Sequence, residues 1–205
     1  MRIRAASEAD AAAVAAIYGH HVLTGFGTFE QEAPTARDMA GRIAEVLAWG
    51  LPYLVAQDDA ADGGAVLGFS YASPFRPRAA YRYTVEESVY VAPGLQRRGV
   101  GKALVSQVIS TCEAMGFRQM VAVVGDSGNA GSIGLHRSLG FEQMGIGRSF
   151  GFKHGRWVDI VWMQRALNGG DATAPGAGGL DLREEAAPVQ HWFDGIFRRR
   201  GRRTP

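Results

Sequence analysis

The sequence predicts one α/β (α+β) domain over residues 1–167 and a separate tail over residues 168–205. Short apolar runs alternate with segments of helical periodicity as far as Leu167, as expected for a sheet flanked by helices. Gly, Pro and Asp residues separate these segments and mark the turns. Beyond Leu167 the composition changes to Gly, Ala, Asp and Pro and ends in an Arg cluster, which predicts a mobile linker and a basic end.

The first elements are indicated by capping signals. A short strand is predicted at residues 2–5. The sequence Ser7-Glu8-Ala9-Asp10 then resembles a capping box, and the Ala-rich segment behind it predicts a helix that ends near His21. After a Gly-containing loop, Thr35 is placed to cap a second helix, which ends near Trp49.

The middle of the chain predicts a hairpin, a strand and a long helix. The apolar runs 53–57 and 66–72 flank a turn-rich segment, which is typical of a β-hairpin. Residues 83–91 form the next predicted strand. Residues 99–115 have apolar side chains at helical spacing, and Gly116 follows as a residue that ends helices.

The last predicted elements complete the domain. Residues 120–124 are almost wholly apolar, as in a strand that is buried on both faces. Residues 129–139 predict a short helix that Gly140 closes. Two further strands are predicted at 144–152 and 157–164.

Composition and charge exclude several classes of protein. The net charge of +2 is too close to neutral for a nucleic-acid-binding surface over the whole fold. Cys112 is the single cysteine, which excludes a disulfide framework, and its apolar helical surroundings are those of a core residue. No apolar stretch approaches the roughly 20 residues that span a bilayer, and the N-terminus lacks a signal-peptide pattern. We therefore expect a cytoplasmic protein that binds neither membranes nor nucleic acids.

A glycine-rich, basic motif lies between a predicted strand and a predicted helix. It reads Gln96-Arg97-Arg98-Gly99-Val100-Gly101. Glycines at the start of a helix let the backbone approach an anion, and the free N–H groups there point at it. Two arginines add positive charge, so a pyrophosphate is the expected guest. The alternative is a basic loop with a flexible turn; the G-x-G-x-x-G spacing of dinucleotide-binding proteins is absent.

This motif resembles the coenzyme A pyrophosphate loop of the GNAT acetyltransferases. The order of elements around it is also similar, as are Asn129 and Ser132 ahead of Leu139-Gly140-Phe141. Within that superfamily, four further segments resemble the phosphinothricin and methionine sulfoximine or sulfone acetyltransferases. They are Thr28-Phe29-Glu30, Arg76 to Tyr81, Thr84 to Val91 and Gly151 to Trp157.

The resemblance implies a GNAT fold, in which helices flank a twisted, mixed and mostly antiparallel sheet. It implies acetyl-CoA as co-substrate, a homodimer and an attack by the amine without an acetyl-enzyme. By this resemblance the thioester is polarised by a backbone N–H near Val89 to Val91. The expected coenzyme-binding residues are Val89, Tyr90, Val91, Gln96, Arg97, Arg98, Gly99, Val100, Gly101, Lys102, Asn129 and Ser132.

Two side chains are candidates for acid–base catalysis. Along the strand 84–91 side chains alternate, so Glu86 lies on a polar face and Glu87 on an otherwise apolar one. Glu86 also matches the family's catalytic Glu, and we expect it to be the general base for the amine. The alternative for either Glu is a solvated edge charge. His136 stands where many GNAT enzymes have a tyrosine, and we expect an acid–base or substrate-positioning role, with a half-buried structural histidine as the alternative.

Basic and aromatic residues before this strand are candidates for substrate binding. Arg76 and Arg78 flank Pro77, and guanidinium groups suit carboxylate or phosphinate oxygens. Tyr81 and Tyr83 would complete this anchor, with Phe29 covering the cleft. The alternative is a solvent-exposed basic loop. His20 and His21 have no third ligand at metal-site spacing, so we predict no metal and expect both at a helix end.

The expected function is acetyl transfer to the free amino group of a small amino-acid-like molecule. Two alternatives stay open from the sequence. One keeps the fold and changes the acceptor to a peptide N-terminus or another amine. The other is a coenzyme-binding regulatory module, or a nucleic-acid-binding protein that acts through the Arg cluster at 198–203.

Overall fold

The computed structural model describes residues 1–59 and 64–180. Within these residues a seven-stranded sheet is flanked by four α-helices. The elements are β1 (Arg2–Ala5), α1 (Ala11–Thr24), α2 (Ala36–Ala48), β2 (Tyr53–Gln57), β3 (Val66–Pro74), β4 (Thr84–Val91), α3 (Val100–Ala114), β5 (Gln119–Gly125), α4 (Ala130–Ser138), β6 (Glu142–Lys153) and β7 (Arg156–Ala166). Every predicted strand and helix of the domain is confirmed, and α1 extends one turn beyond the predicted end.

The predicted mixed and mostly antiparallel sheet is also confirmed. Its strand order is β1-β2-β3-β4-β5-β7-β6. Five of the six neighbouring pairs are antiparallel, and β4 and β5 are parallel. The parallel pair lies in the middle of the sheet and is connected through α3, as a parallel connection requires.

The parallel strands β4 and β5 separate before they end. Their pairing stops at Glu87 and Ala122, although β4 continues to Val91 and β5 to Gly125. The carboxyl-terminal halves of the two strands therefore border a gap in the sheet. In open sheets that contain parallel strands, ligands bind at such carboxyl ends.

The two faces of the sheet are covered by different helices. Tyr18 of α1 packs its ring against Phe69 and Tyr90 on one face. Gly68 precedes Phe69 on β3, so a Cβ added to Gly68 would lie on the other face of the sheet. That Cβ would be 3.3 Å from Leu104 Cδ1 of α3. α1 and α2 thus cover the face that carries Tyr90, and α3 covers the opposite face.

Residues 168–180 lie against the domain, where the sequence predicted the start of a mobile linker. Arg118 Nε donates to Gly170 O at 2.7 Å, and Leu180 N donates to Arg82 O at 2.8 Å. Leu180 is 3% exposed and joins the hydrophobic core. The predicted domain boundary at Leu167 stays a prediction, and the basic cluster at 198–203 lies outside the described residues. Among the described helices, none is both long and apolar enough to cross a membrane.

Candidate functional site

The predicted anion loop is open to solvent at the start of α3. Gly99 is the N-cap residue with φ 82°, and Arg97 also has a positive φ of 62°. Both arginines and Gly99 are exposed, whereas Val100 is buried. Ala103 N donates to Gly99 O at 3.0 Å, so the amides of residues 100–102 have no partner within the helix. Free amides, a helix dipole and adjacent arginines suit a pyrophosphate.

Gly101 has a packing role within the same motif. A Cβ added there would lie 3.2 Å from Leu135 Cδ2 and 3.5 Å from Val91 Cγ2. The absence of a side chain lets α3 approach both β4 and α4 closely. Lys102, one residue on, is exposed beside the loop.

The gap between β4 and β5 presents backbone groups from β4. Ala92 N donates to Leu67 O of the chain leading into β3. Because backbone groups alternate in direction along a strand, those of Val89 and Val91 point away from β3 and toward the gap. His21 Nε2 lies 2.9 Å from Val91 O and donates to it, and burial lowers the pKa of this histidine. His21 therefore lies at the gap.

Glu86 lies on the face covered by α1 and α2, at the level where the strands begin to separate. Its pKa is raised because the half-buried carboxyl group is partly removed from water. Arg76 Nη1 lies 3.9 Å from Glu86 Oε2, and this cation lowers the pKa in opposition to burial. The nearby Glu87 carboxyl group adds a smaller effect that raises it. A carboxylate with a raised pKa beside a gap is suited to accept a proton.

Polar side chains continue along the Glu86 face. Tyr71 of β3 hydrogen-bonds Ser88, the next residue on that face of β4. Tyr18 OH lies 2.8 Å from Thr28 Oγ1 and donates to Glu30 Oε1 at 2.9 Å. Arg42 binds Glu30 through both carboxylate oxygens, at 2.8 and 3.0 Å.

Tyr18, Arg42 and Tyr71 border a small cavity between the helices and the sheet. Its lining consists of Tyr18, Met39, Arg42, Val46, Tyr53, Phe69 and Tyr71. Tyr53 OH is buried and has no hydrogen-bond partner among residues 1–59 and 64–180. The cavity shares a sheet face with Glu86, because Phe69 pairs with Tyr90 and Tyr71 with Ser88.

Glu87 and His136 lie on the other face, in contact with each other. His136 Nε2 is 2.9 Å from Glu87 Oε2, and the two residues are 2% and 3% exposed. Burial lowers the pKa of His136, but the hydrogen bond to Glu87, the negative charge of Glu87 and the hydrogen bond to Ser132 O together outweigh burial, so the pKa is raised. The alternative of a solvated edge charge is therefore wrong for Glu87. The structure does not bring His136 together with Glu86, and its acid–base role stays a prediction.

Asn129 and Ser132 are engaged with each other at the start of α4. Asn129 is the N-cap, and its Oδ1 accepts from Ser132 N at 3.1 Å. Ser132 O lies 2.7 Å from His136 Nδ1. The two residues follow the end of β5, so they lie on the side of the gap opposite β4.

The predicted substrate residues fall into separate places. Arg76 lies beside Glu86, while Arg78 and Tyr81 are exposed on the same loop. Tyr83 instead donates its hydroxyl to Gly176 O at 3.3 Å, which directs it toward the 168–180 segment. Phe29 packs on Gly151 of β6, where an added Cβ would lie 2.4 Å from its ring.

Sequence reasoning missed several polar residues at this site. His21 was expected only at a helix end, and its contact with Val91 O joins residues 70 positions apart. Arg42 and Tyr71 carried no signal apart from their place in amphipathic elements. The useful signal was the Thr28-Phe29-Glu30 segment, because Glu30 holds both Tyr18 and Arg42.

Residues 16–141 match the model described as the acetyltransferase (GNAT) family. A phosphinothricin N-acetyltransferase of Alcaligenes faecalis is 50% identical over 173 residues, which are 84% of this chain and 86% of that protein. An L-methionine sulfoximine/L-methionine sulfone acetyltransferase of Pseudomonas paraeruginosa is 41% identical over 169 residues, 81% of this chain and 94% of that one.

A solved structure gives the same answer for the fold. The phosphinothricin acetyltransferase of Sinorhizobium meliloti, determined in complex with acetyl-CoA, superimposes with a TM-score of 0.82. It is 46% identical, and the match covers 87% of this chain and 94% of that chain.

Proposed function

The chain belongs to the acetyltransferase (GNAT) family, and on this premise we propose that it acetylates the free amino group of a small amino-acid-like molecule. Acetyl-CoA is the co-substrate, and enzymes of this family need no metal. The observation that carries the proposal is Glu86, a carboxylate with a raised pKa that lies 3.9 Å from a guanidinium group beside the gap between β4 and β5. Phosphinothricin, methionine sulfoximine and methionine sulfone are the candidate substrates, because the relatives are named for them.

The coenzyme would be held by the loop and the gap. The amides of residues 100–102 and the side chains of Arg97, Arg98 and Lys102 would bind the pyrophosphate, together with Gln96. The backbone of Val89 to Val91 would pair with the arm that leads to the thioester, and Asn129 and Ser132 would border its other side. This assignment rests on the amides of residues 100–102, which have no partner within the helix, and on the part of β4 beyond Glu87, which does not pair with β5.

Glu86 would supply the proton transfer that the amine requires. An ammonium group must lose a proton before its nitrogen can attack a carbonyl carbon, and Glu86 would accept that proton directly or through a water molecule. The nitrogen then forms a bond to the thioester carbon, the carbon–sulfur bond breaks, and the departing coenzyme thiolate takes up the second proton that the nitrogen loses as the amide forms. A β4 amide at the gap, that of Val89 or Val91, would stabilise the oxyanion between these steps.

The acid group of the substrate would bind the loop between β3 and β4. Arg76 is close enough to Glu86 to hold an α-amino acid with its nitrogen toward that carboxylate. Arg78 and Tyr81 lie on the same loop and would contact the other end of the molecule. Polyamines and aminoglycosides lack an acid group, so this basic loop disfavours them.

An apolar surface on β6 and β7 supports a homodimer. Met144, Phe150, Phe152 and Trp157 are between 54% and 63% exposed, and β6 is the edge strand of the sheet. Exposed apolar groups along an edge strand favour pairing with another chain. We propose a second copy of this chain as the partner, in the cytoplasm.

The test is thiol release from acetyl-CoA, followed with a chromogenic thiol reagent. Phosphinothricin, methionine sulfoximine, methionine sulfone, spermidine and a Ser-start peptide would be compared. Turnover confined to the three amino-acid analogues supports the proposal. Turnover with the peptide or spermidine alone would keep the enzyme class and overturn the substrate, and coenzyme binding without any turnover would favour a regulatory module.

A further inference from the structure

Residues 168–180, called the strap below, are tied to one end of the domain. Arg118 donates to Gly170 O at 2.7 Å and to Thr173 O at 2.9 Å. Asn168 Nδ2 donates to Glu113 O and Phe117 O, at 2.7 and 3.0 Å. The strap lies beyond the residues 16–141 that match the family model. These bonds fix a segment that composition alone would leave mobile.

The far end of the strap contacts the start of β4. Leu180 N donates to Arg82 O at 2.8 Å, and the Leu180 side chain is buried. Tyr83 OH donates to Gly176 O. Gly179 has φ +77°, and a Cβ added to it would lie 2.6 Å from Arg82 O and 2.7 Å from the Tyr83 ring. The strap backbone therefore lies directly on Arg82 and Tyr83.

Arg82 is the last residue of the exposed loop that carries Arg76, Arg78 and Tyr81. Residues 77–82 are all exposed, and the backbone hydrogen bonds within the loop are local, such as those from Tyr81 N to Arg78 O and from Arg82 N to Ala79 O. Local bonds give the loop a shape but do not fix it to the domain. Its start is fixed by β3. Its end is fixed by Arg118 N and Gln119 N, which donate to Tyr83 O, and by the strap contacts of Arg82 and of the Tyr83 side chain.

We propose that the strap is a positioning element for the amine substrate: by holding Arg82 and Tyr83 it fixes the loop that presents Arg76, Arg78 and Tyr81. This inference rests on the proposed function, because that loop is the proposed acid-group subsite. The strap has no proposed contact with the coenzyme. It lies at the start of β4, whereas the proposed pyrophosphate loop at Arg97 to Gly99 follows the end of β4.

Two glycine substitutions in the full-length chain test this. Gly179→Ala places a methyl group against Arg82 O and Tyr83 at a strained φ, so it should detach the end of the strap. Gly176→Ala is the matched control, because an added Cβ there meets nothing within 4 Å. Hydrogen exchange of residues 75–83 and steady-state kinetics would be measured for both.

We expect Gly179→Ala to increase exchange in the loop and to raise KM for the amine by roughly tenfold, because small displacements of a positioning group are costly. KM for acetyl-CoA should be unchanged, and Gly176→Ala should match the wild type. Faster exchange in the strap with unchanged KM for the amine would overturn the inference and leave the proposed function intact.

Two outcomes need a second measurement. If Gly179→Ala does not fold, Leu180→Ala and Tyr83→Phe, which each remove one strap contact, replace it with the same criteria. If the wild type acetylates none of the amines, the proposed function fails. Unchanged exchange of residues 75–83 in the strap variants would then overturn the inference as well, and increased exchange would support only its first part, that the strap fixes this loop.

Discussion

His136 Nε2 lies 2.9 Å from Glu87 Oε2 in the interior of the domain, and the other ring nitrogen lies 2.7 Å from Ser132 O. A carboxylate and a carbonyl oxygen both accept hydrogen bonds. Only the doubly protonated imidazolium donates to both at once. The pair joins α4 to β4 across the sheet face that is opposite to Glu86.

We expect this pair to make stability depend on pH. The pKa of His136 is raised in the folded protein, so the stability it contributes is fully present below the unfolded value of about 6.5 and is lost as pH rises through the folded pKa. Glu87→Gln should lower the free energy of unfolding by roughly 1.5–3 kcal/mol at pH 6. Urea unfolding at pH 6 and pH 9 checks this, with the exposed Glu32→Gln as control. A Glu87→Gln deficit that is equally large at pH 9 would contradict it.

Arg76 should set the acid limb of the activity profile. Its guanidinium group lowers the pKa of Glu86 against the effect of burial. Arg76→Gln should therefore shift the acid limb of kcat/KM to higher pH and raise KM for the amine. Arg78→Gln is the control. In the described part of the chain Arg78 makes no ion pair with Glu86, so this variant should leave the acid limb in place. An acid limb that moves to lower pH would refute the assignment.

Gly99 should be required for coenzyme binding. Its φ of 82° lies in the left-handed region, so alanine there costs about 1–2 kcal/mol in backbone strain and disturbs the amides at the start of α3. Gly99→Ala should weaken binding of coenzyme A several-fold in calorimetric titration. Gly41→Ala is the control, because this glycine lies within α2 and an added Cβ meets nothing within 4 Å. Equal affinity of the two variants for coenzyme A would contradict the assignment of this loop to pyrophosphate binding.

Phe150 should be needed for association of two copies. Its side chain is 63% exposed on the edge strand β6, beside other exposed apolar groups. Phe150→Asp should convert a dimer to a monomer in light scattering after size exclusion. Leu47→Asp is the control, because Leu47 is 41% exposed on α2, which packs on β2 and β3 in the other half of the sheet. A wild-type monomer at micromolar concentration would reject the proposed homodimer.

The fold could be predicted because the signals for its elements are local. The cap at Thr35, the apolar run that became β5 and the positive-φ glycines that follow α3 and α4 each depend on a few neighbouring residues. Alternation along β4 also gave the correct face for Glu86. The position of the Gln96 to Gly101 loop between β4 and α3 was predictable for the same reason, since its glycines and arginines are consecutive, and its role as an anion site stays a prediction.

The parts that could not be predicted depend on residues that are far apart in the chain. Glu87 was assigned to the apolar face, but its partner His136 lies 49 positions away, and the pair formed only through packing of α4. Tyr83 was expected to complete the substrate anchor, yet its hydroxyl donates to Gly176 O, 93 positions further along the chain. The Gly-rich strap has the composition of a linker, and side chains such as Arg118 hold it through its backbone carbonyls.

The measurement that tests the account most directly is the pH dependence of kcat/KM for the best amino-acid analogue, with wild type and Glu86→Gln. Because burial raises the pKa of Glu86, wild-type activity should fall on the acid side at a pH above the ordinary glutamate value of about 4.3. Glu86→Gln should lose that limb and be about 10²–10⁴-fold slower while binding coenzyme A normally. A variant with nearly wild-type kcat/KM and an unchanged acid limb would contradict the assignment of Glu86 as the general base.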